Sequence, residues 1–246
     1  MNESRLTFYD PTNITLPIVI FNTLVNDAFH FGFVKNGQAN ISGLLNCLLP
    51  CLADYRDDLH NNLLLENDND EELTTKIEKS IYKIYFNKYD YCDDGTVNVP
   101  FRVNKAYLQD FLEIFDNKLS KYNMDFTGFI RSLLIEYCSK RLNHREYFFF
   151  YRKMNTIKTA CIENNLCYFY TTTEKECFIP VSIEISRNTE TNLIVGINKT
   201  KETSYVLPLA SIQRIVVTDT KVSITEKDCD FIYETLENYY EETETD

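Results

Sequence analysis

Tryptophan is absent from this 246-residue sequence, and glycine, proline, histidine and methionine are all rare. Six glycines leave little room for a glycine-rich phosphate loop, and neither Gly-x-Ser-x-Gly nor His-Glu-x-x-His occurs. The longest apolar run, Leu16–Phe21, is far shorter than the ~20 residues of a membrane span. The first residues also lack the features of a secretory signal. We therefore predict a non-enzymatic, soluble protein of the cytoplasm.

The eight cysteines and three histidines do not suggest a metal centre. No Cys-x-x-Cys occurs, and the histidines lie far from any pair of cysteines. A zinc site needs four converging ligands at close spacing. We predict reduced cysteine thiols, no bound metal and no cofactor.

Charge is distributed unevenly along the chain. The formal net charge is −12, yet residues 100–160 carry eleven basic and six acidic side chains. An acidic protein can bind nucleic acid through one basic block, and a solvated helical face gives the same composition. Composition alone leaves both interpretations open.

Hydrophobic periodicity predicts the elements of the first half. The pattern indicates a strand over Ile14–Ile20 and a helix over Phe21–Phe33. A loop over Lys35–Asn40 precedes a helix that Ser42 caps and that extends through Leu52 or as far as Leu65. An acidic connector, Glu66–Glu72, then leads to a helix over Leu73–Phe86.

A second strand–helix–helix unit follows this one. Alternation over Val97–Val103 predicts a strand, and apolar spacing predicts helices around Leu108–Phe115 and Phe129–Tyr137. The unit resembles the first: Leu16–Asn22 aligns with Val99–Lys105 at an offset of 83 residues, and Ile41–Leu49 aligns with Phe126–Leu134 at an offset of 85. We predict that residues 14–53 and 96–142 form one pseudo-twofold unit in which the two strands pair.

The last third of the chain is rich in short strands, which suggests a small barrel. The predicted strands are Leu166–Tyr170, Glu176–Ile179, Val181–Ile185, Leu193–Ile197, Tyr205–Leu207 and Ile212–Val217. A terminal helix over Asp228–Tyr240 ends in an acidic tail. The predicted fold class is α+β, with domains over residues 1–142 and 143–225 and a helix with its tail over 226–246.

The unit over residues 96–142 resembles the ribbon-helix-helix family. Paired strands in that family form a ribbon that can enter the major groove of DNA, where outward side chains contact base edges. The resemblance implies that Asn98, Pro100 and Arg102 face outward and that the helix start at Thr127 and Gly128 offers backbone N–H groups to a phosphate.

In the first copy of the repeat, the same resemblance assigns different residues to the outward positions of the strand. Its corresponding residues are Thr15, Pro17 and Val19, which carry no charge. The ribbon is therefore expected to act more as a packing platform than as a reader of duplex DNA.

Residues 145–220 resemble the WYL-domain family, which has a small Sm-like barrel. Arg145–Phe150 and Ile157–Ile162 resemble the helix that leads into that barrel. Asn165–Tyr170 and Phe178–Pro180 resemble its first two strands, and Leu209–Asp219 its closing strand. The combination is similar to bacterial WYL regulators, specifically to accessory proteins of RNA-targeting CRISPR effectors.

Two features of the WYL family are changed in this sequence. Thr191-Asn192-Leu193 stands in place of Trp-Tyr-Leu, and Pro208 and Ser211 stand where an Arg-x-x-Arg is usual. A pocket that binds a nucleotide or RNA would need a replacement cation. The polar candidates are Tyr170, Lys175, Arg187, Lys199, Lys201 and Arg214. We assign the pocket to Tyr170, Lys199, Lys201 and Arg214, with Tyr170 stacking on a base. If the barrel is instead an assembly surface, its exposed apolar strand faces should meet another subunit or a partner.

The leading functional prediction is an accessory or regulatory protein that binds nucleic acid and modulates a protein partner. We expect it to bind single-stranded RNA in preference to duplex DNA. We also expect it to form a homodimer and not to associate with a membrane. The alternatives are a protein-interaction or dimerisation module with a decayed nucleic-acid surface, and a ribbon-helix-helix repressor of duplex DNA. The candidate nucleic-acid residues are Asn98, Arg102, Thr127, Arg131, Lys140, Arg141, Arg145, Arg152, Lys153 and Lys158. Of these, we expect Lys140, Arg141 and Arg145 to lie within about one and a half helical turns.

Overall fold

The computed structural model describes residues 12–88, 95–105 and 125–243. The chain divides into two compact units, Met1–Lys140 and Arg141–Asp246. Both units mix helices with small sheets. Among the described residues, none of the helices has the length and apolar character that crossing a lipid bilayer requires.

Unit 1 is built on a two-stranded ribbon surrounded by helices. Its described elements are β1 (Thr12–Pro17), α1 (Ile18–His30), β2 (Val34–Lys35), β3 (Gln38–Ala39), α2 (Ile41–Glu66), α3 (Glu71–Asn87), β4 (Thr96–Phe101) and α4 (Phe126–Cys138). The predicted helix around Leu108–Phe115 lies outside the described residues.

The predicted pairing of the two repeat strands is confirmed. β1 and β4 are antiparallel, with Ile14 opposite Val99 and Thr15 opposite Asn98. At the offset of 83 residues, Thr15 and Asn98 are equivalent positions, so the pseudo-twofold axis passes between them. The Thr15 hydroxyl donates a hydrogen bond to Asn98 Oδ1 at 2.8 Å across that axis.

One face of this ribbon forms the floor of the unit 1 core. Ile14 and Leu16 of β1 and Val99 and Phe101 of β4 are buried, because alternate side chains point to the same face. The ribbon packs against α1 and α4, and α4 also packs against α3. Buried apolar residues of α1, α2 and α4 include Ile20, Leu24, Leu44, Leu45, Phe129, Ile130, Leu133 and Leu134.

Several predicted boundaries were wrong at turns. The first strand ends at Pro17 instead of Ile20, because proline lacks an N–H and suits the start of a helix. The predicted loop Lys35–Asn40 is a tight hairpin, with Asn36 and Gly37 both at positive φ. Asn40, and not Ser42, caps α2: its side chain accepts a hydrogen bond from the Gly43 amide.

Unit 2 contains two helices, a five-stranded antiparallel sheet and a terminal helix. Its elements are α5 (Leu142–Phe149), α6 (Tyr151–Glu163), β5 (Asn165–Tyr170), β6 (Lys175–Ile185), β7 (Asn192–Asn198), β8 (Thr203–Pro208), a 3-10 turn (Leu209–Ser211), β9 (Arg214–Lys221) and α7 (Glu226–Thr243). The sheet order is β8-β7-β6-β5-β9.

The sheet does not close into the predicted barrel. In the described part of the chain its edge strands β8 and β9 share no ladder. Pro208 and the 3-10 turn separate them, after which β9 pairs with β5. The two strands predicted over Glu176–Ile185 are instead the single strand β6, which passes Pro180 with a shift in register.

The interior strand β7, which lies between β8 and β6, is buried on both faces. Ile194 packs in the core beneath α6, whereas Leu193, Val195 and Ile197 pack against α7. Gly196 lies in this strand where an added Cβ would collide with the Ile179 carbonyl and the Phe178 ring. A glycine at this position therefore lets β6 and β7 approach closely.

Candidate nucleic-acid surfaces

An aromatic and cationic surface lies on the sheet of unit 2. We define this β5 surface as Tyr168, Tyr170, Lys175 and Arg214. Because Cys167 and Phe169 point into the core, alternation places Tyr168 and Tyr170 on the opposite face of β5. The register then sets Lys175 of β6 on one side of Tyr170 and Arg214 of β9 on the other.

The side chains of the β5 surface contact one another. Lys175 Nζ lies 4.3 Å from the centre of the Tyr168 ring and 5.4 Å from that of Tyr170. The guanidinium carbon of Arg214 lies 5.7 Å from the Tyr170 ring. Both tyrosines are half-buried and both cations are exposed. Aromatic faces can stack on unpaired bases, and flanking cations can contact phosphates.

The β5 surface includes two of the four predicted pocket residues. Tyr170 and Arg214 lie side by side as the pocket hypothesis requires. Lys175, a polar candidate that was not assigned to the pocket, and Tyr168, which was not predicted, complete the surface. The alternation in Leu166–Tyr170 would have placed Tyr168 beside Tyr170, but only the strand register brings Lys175 to them.

The other two predicted pocket residues have different surroundings. Lys199 Nζ forms an ion pair with Asp228 Oδ2 at 2.7 Å. The Lys199 hydrogen bond, followed by those from Thr225, lowers the pKa of Asp228 to about 2. Lys201 is exposed in the β7–β8 turn, where its amide donates to Asn198 Oδ1 at 3.0 Å. Lys199 therefore anchors the start of α7.

Three predicted nucleic-acid residues lie on α6. Arg152 and Lys158 are exposed, and Lys158 Nζ lies 4.3 Å from the Tyr147 ring. Lys153 is half-buried, donates to the Ile212 carbonyl, and has Nζ 4.2 Å from the Phe150 ring. Burial lowers the pKa of Lys153 to about 8. The Lys153 ammonium therefore binds the Ile212 carbonyl, just before β9, and this contact disfavours a role in binding phosphate.

The outward face of the ribbon holds little charge. Asn98, Pro100 and Arg102 are exposed as predicted, but Asn98 Oδ1 accepts the hydrogen bond from Thr15. Asn46 of α2 accepts from the Asn104 amide and donates to the Arg102 carbonyl. Arg102 borders an open cleft of about 590 Å³ at the start of α2, which Lys105 also lines.

The predicted phosphate site at the start of α4 already contains a carboxylate. Asp125 Oδ1 accepts from the Gly128 amide at 2.5 Å and from the Thr127 hydroxyl at 3.0 Å. The capping carboxylate would repel a phosphate and already accepts from the Gly128 amide, which disfavours a phosphate site at this helix start. The role of Thr127 in binding stays a prediction. Arg131 of the same helix donates to the Thr15 carbonyl at 3.3 Å and so joins α4 to the ribbon.

The basic run Lys140, Arg141 and Arg145 spans the junction between two helices. α4 ends at Cys138, and α5 begins at Leu142 with Arg141 at its N-cap. Lys140 belongs to unit 1, whereas Arg141 and Arg145 belong to unit 2. The break occurs at Arg141, whose extended backbone (φ −67°, ψ 162°) separates the end of α4 from the start of α5. The contribution of these residues to binding stays a prediction.

Metal-binding side chains do not cluster in the described ranges: no group of three or more His, Cys, Asp and Glu residues there could hold a metal ion. The described cysteines are all free thiols. Burial raises the pKa of Cys167 to about 12 and that of Cys161 to about 11. These two thiols are therefore protonated at neutral pH and unreactive.

Comparison with known proteins gives one informative result. No protein-family model and no curated protein matches the sequence. A solved structure described as "a CRISPR Cas-related protein" is similar, with a TM-score of 0.62 and 16% sequence identity. The similarity covers 93% of this chain and 70% of that chain. At this identity the comparison shows a shared fold.

Proposed function

We propose that this protein is a non-enzymatic accessory protein that binds single-stranded nucleic acid, RNA in preference to DNA, through the β5 surface. Binding modulates a protein partner in the cytoplasm. The observation that carries the proposal is the placement of Tyr170 between Lys175 and Arg214 on an accessible sheet face. This combination of rings and cations suits a flexible strand, whose bases can stack while its phosphates contact the cations.

The fold supports the family resemblance on which the proposal draws. The five-stranded order, the long bent strand β6 and the 3-10 turn before β9 fit a WYL-type, Sm-like arrangement that is open at one edge. The paired β1 and β4 fit a ribbon-helix-helix pseudo-dimer. The similarity to a CRISPR Cas-related protein favours a partner from a CRISPR system.

The ribbon of unit 1 is poorly suited to sequence-specific contacts with duplex DNA. Thr15, Thr96, Asn98 and Pro100 of the ribbon are exposed and uncharged. Recognition of guanine in the major groove favours a bidentate arginine or lysine. Arg102 follows the ribbon, and the helix start of the second copy presents the Asp125 carboxylate. These features favour a protein that binds a single strand over a repressor that binds duplex DNA.

The first prediction concerns the affinity for a labelled single-stranded RNA. Tyr170→Ala should weaken binding roughly 5- to 100-fold, because a stacked base contributes about 1–3 kcal/mol. Arg214→Ala should also weaken binding and should reduce the slope of log K against log salt by roughly 0.7 for each lost phosphate contact. Fluorescence anisotropy across a salt series measures both effects.

The matched control is Lys221→Ala. Lys221 is an exposed cation at the far end of β9, where it pairs with Glu163 at 3.3 Å. This variant should bind as the unmodified protein does. Equal affinity of Tyr170→Ala, Arg214→Ala and Lys221→Ala would contradict the proposal. A parallel titration with DNA of the same sequence tests the preference for RNA.

The second candidate function is a protein-interaction or dimerisation module. β9 favours it, because an eight-residue strand at a sheet edge can pair with another chain. Val217 is also exposed on this strand. Light scattering with and without RNA distinguishes the two functions: an interaction module gives a dimer and no RNA affinity, whereas the proposed function requires RNA affinity.

A further inference from the structure

Unit 1 contains a cavity that the proposed function does not use. It lies among α2, α3 and α4 and has a volume of about 520 Å³. This volume falls within the range of small-molecule binding sites. Its walls are formed by Tyr55, Leu59, Ile81, Ile84 and Tyr85, together with Arg56, Lys88 and Glu136.

The inner end of the cavity is a buried ion pair. Arg56 of α2 is 1% exposed and its guanidinium binds the carboxylate of Glu136 on α4. The guanidinium carbon also lies 4.7 Å from the Tyr82 ring. Within the described chain, Arg56 Nε and Nη1 donate no hydrogen bond. The remaining N–H groups of this arginine can donate to acceptor atoms of a ligand, and the carboxylate can accept from its donor atoms.

The outer end of the cavity is aromatic and positively charged. Lys88 Nζ lies 5.8 Å from the centre of the Tyr85 ring, and Lys140 Nζ lies 5.9 Å from it. Ile84 beside them is 65% exposed although it is a large apolar side chain. The opening therefore combines an apolar wall, an aromatic ring and two ammonium groups.

We propose that this cavity binds a nucleotide, with the base between Tyr55, Tyr85 and the aliphatic wall and the phosphate at Lys88 and Lys140. The base edge meets the Arg56–Glu136 pair, which supplies donors and an acceptor. A free mononucleotide and an unpaired nucleotide within a strand both carry the base and the phosphate that this cavity would bind. The site is separate from the β5 surface and does not rest on it.

The test uses the full chain and methylanthraniloyl-labelled ATP and GTP. The absence of tryptophan makes the label the dominant source of fluorescence. Saturable binding of at least one of the two nucleotides is expected. Tyr85→Ala should weaken it roughly tenfold through the loss of stacking, whereas Tyr85→Phe should retain it. Ile84→Trp should also weaken binding by filling the opening, without disturbing a buried position.

The control variant shows whether binding depends on this cavity. Tyr233→Ala removes an exposed tyrosine outside the cavity, on α7, and should leave nucleotide binding unchanged. Displacement of the label by unlabelled AMP identifies a free nucleotide as the source, and displacement only by an oligonucleotide identifies a strand. The proposal would be overturned if neither labelled nucleotide bound, or if Tyr85→Ala and Ile84→Trp both bound as tightly as the unmodified protein. Either result would do so whatever the β5 surface binds.

Discussion

Glu146 is the residue that joins the helical start of unit 2 to its sheet. Its side chain is fully buried on α5, and Oε2 accepts from the backbone amide of Asn192 at 2.6 Å and from Asn192 Nδ2 at 3.0 Å. Asn192 also donates to the Asn143 carbonyl at 2.7 Å. Asn192, the first residue of β7, is thereby joined to α5 by polar bonds at both its backbone and its side chain.

This network predicts a large loss of stability for Glu146→Ala. Removing the carboxylate leaves the buried donors of Asn192 without their acceptor, which costs about 3 kcal/mol of the free energy of unfolding. Glu146→Gln keeps an acceptor oxygen and should cost about 1 kcal/mol. Urea denaturation measures both. A Glu146→Ala variant as stable as the unmodified protein would show that these bonds contribute nothing.

Asp228 gives a prediction about acid stability. Its pKa is lowered from 3.8 to about 2, first by Lys199 and then by Thr225. A carboxyl group with a lowered pKa stabilises the folded state above pH ~4, and this contribution is lost as the pH falls toward ~2. Lys199→Met should therefore raise the pKa of Asp228, as NMR titration of the carboxyl group would show.

The control for this titration is Lys201→Met. Lys201 is exposed on the same turn, and its backbone amide, which the substitution keeps, donates to Asn198 Oδ1. The variant should leave the pKa of Asp228 near 2. If Lys199→Met also left it there, the ion pair would not be the cause of the lowered value.

At the scale of elements, the two copies of the repeat share a helix start. Asn40 caps α2 by accepting from Gly43, and Asp125 caps α4 by accepting from Gly128. A Cβ on Gly43 would lie 2.5 Å from Asn40 Nδ2, and one on Gly128 would lie 2.9 Å from Asp125 Oδ1. The shared glycine is therefore explained by the space that the capping side chain needs.

A double-mutant cycle should show that the effects of Asn40→Ala and Gly43→Ala on the free energy of unfolding are coupled. Glycine to alanine in a helix usually stabilises by up to about 1 kcal/mol, but Gly43→Ala should displace the cap and lose about as much. In an Asn40→Ala background the same change should stabilise. Thermal or urea denaturation of the four proteins gives the coupling. Equal effects of Gly43→Ala in both backgrounds would rule out this explanation of the repeat.

The sequence predicted elements better than it predicted their contacts. The alternation in Val97–Val103 and the repeat offset were enough to predict the β1–β4 pairing, because each copy of the repeat has an unpaired strand edge that the other copy can complete. The continuity of β6 through Pro180 was missed, because proline normally ends a strand and only the register shift against β7 accommodates it. The approach of Lys175 to Tyr168 depends on pairing between strands, which a single sequence does not specify.

At the scale of the whole molecule, cationic side chains lie in both units and serve different purposes. Several residues of the basic block stabilise the fold: Arg131 binds the ribbon, and Lys153 binds the chain before β9. The β5 surface instead presents its cations to solvent beside aromatic rings. The overall charge of −12 makes a localised contact with nucleic acid more plausible than a broad electrostatic one.

The most direct test of the central claim is photo-crosslinking of the full protein to a single-stranded RNA containing 4-thiouridine, followed by peptide mapping. We predict crosslinks on Tyr168 or Tyr170, and their loss in the Tyr168→Ala, Tyr170→Ala double variant. Crosslinks confined to the ribbon around Asn98 and Arg102, or to the run from Lys140 to Arg145, would contradict the account, because binding would then occur away from the β5 surface.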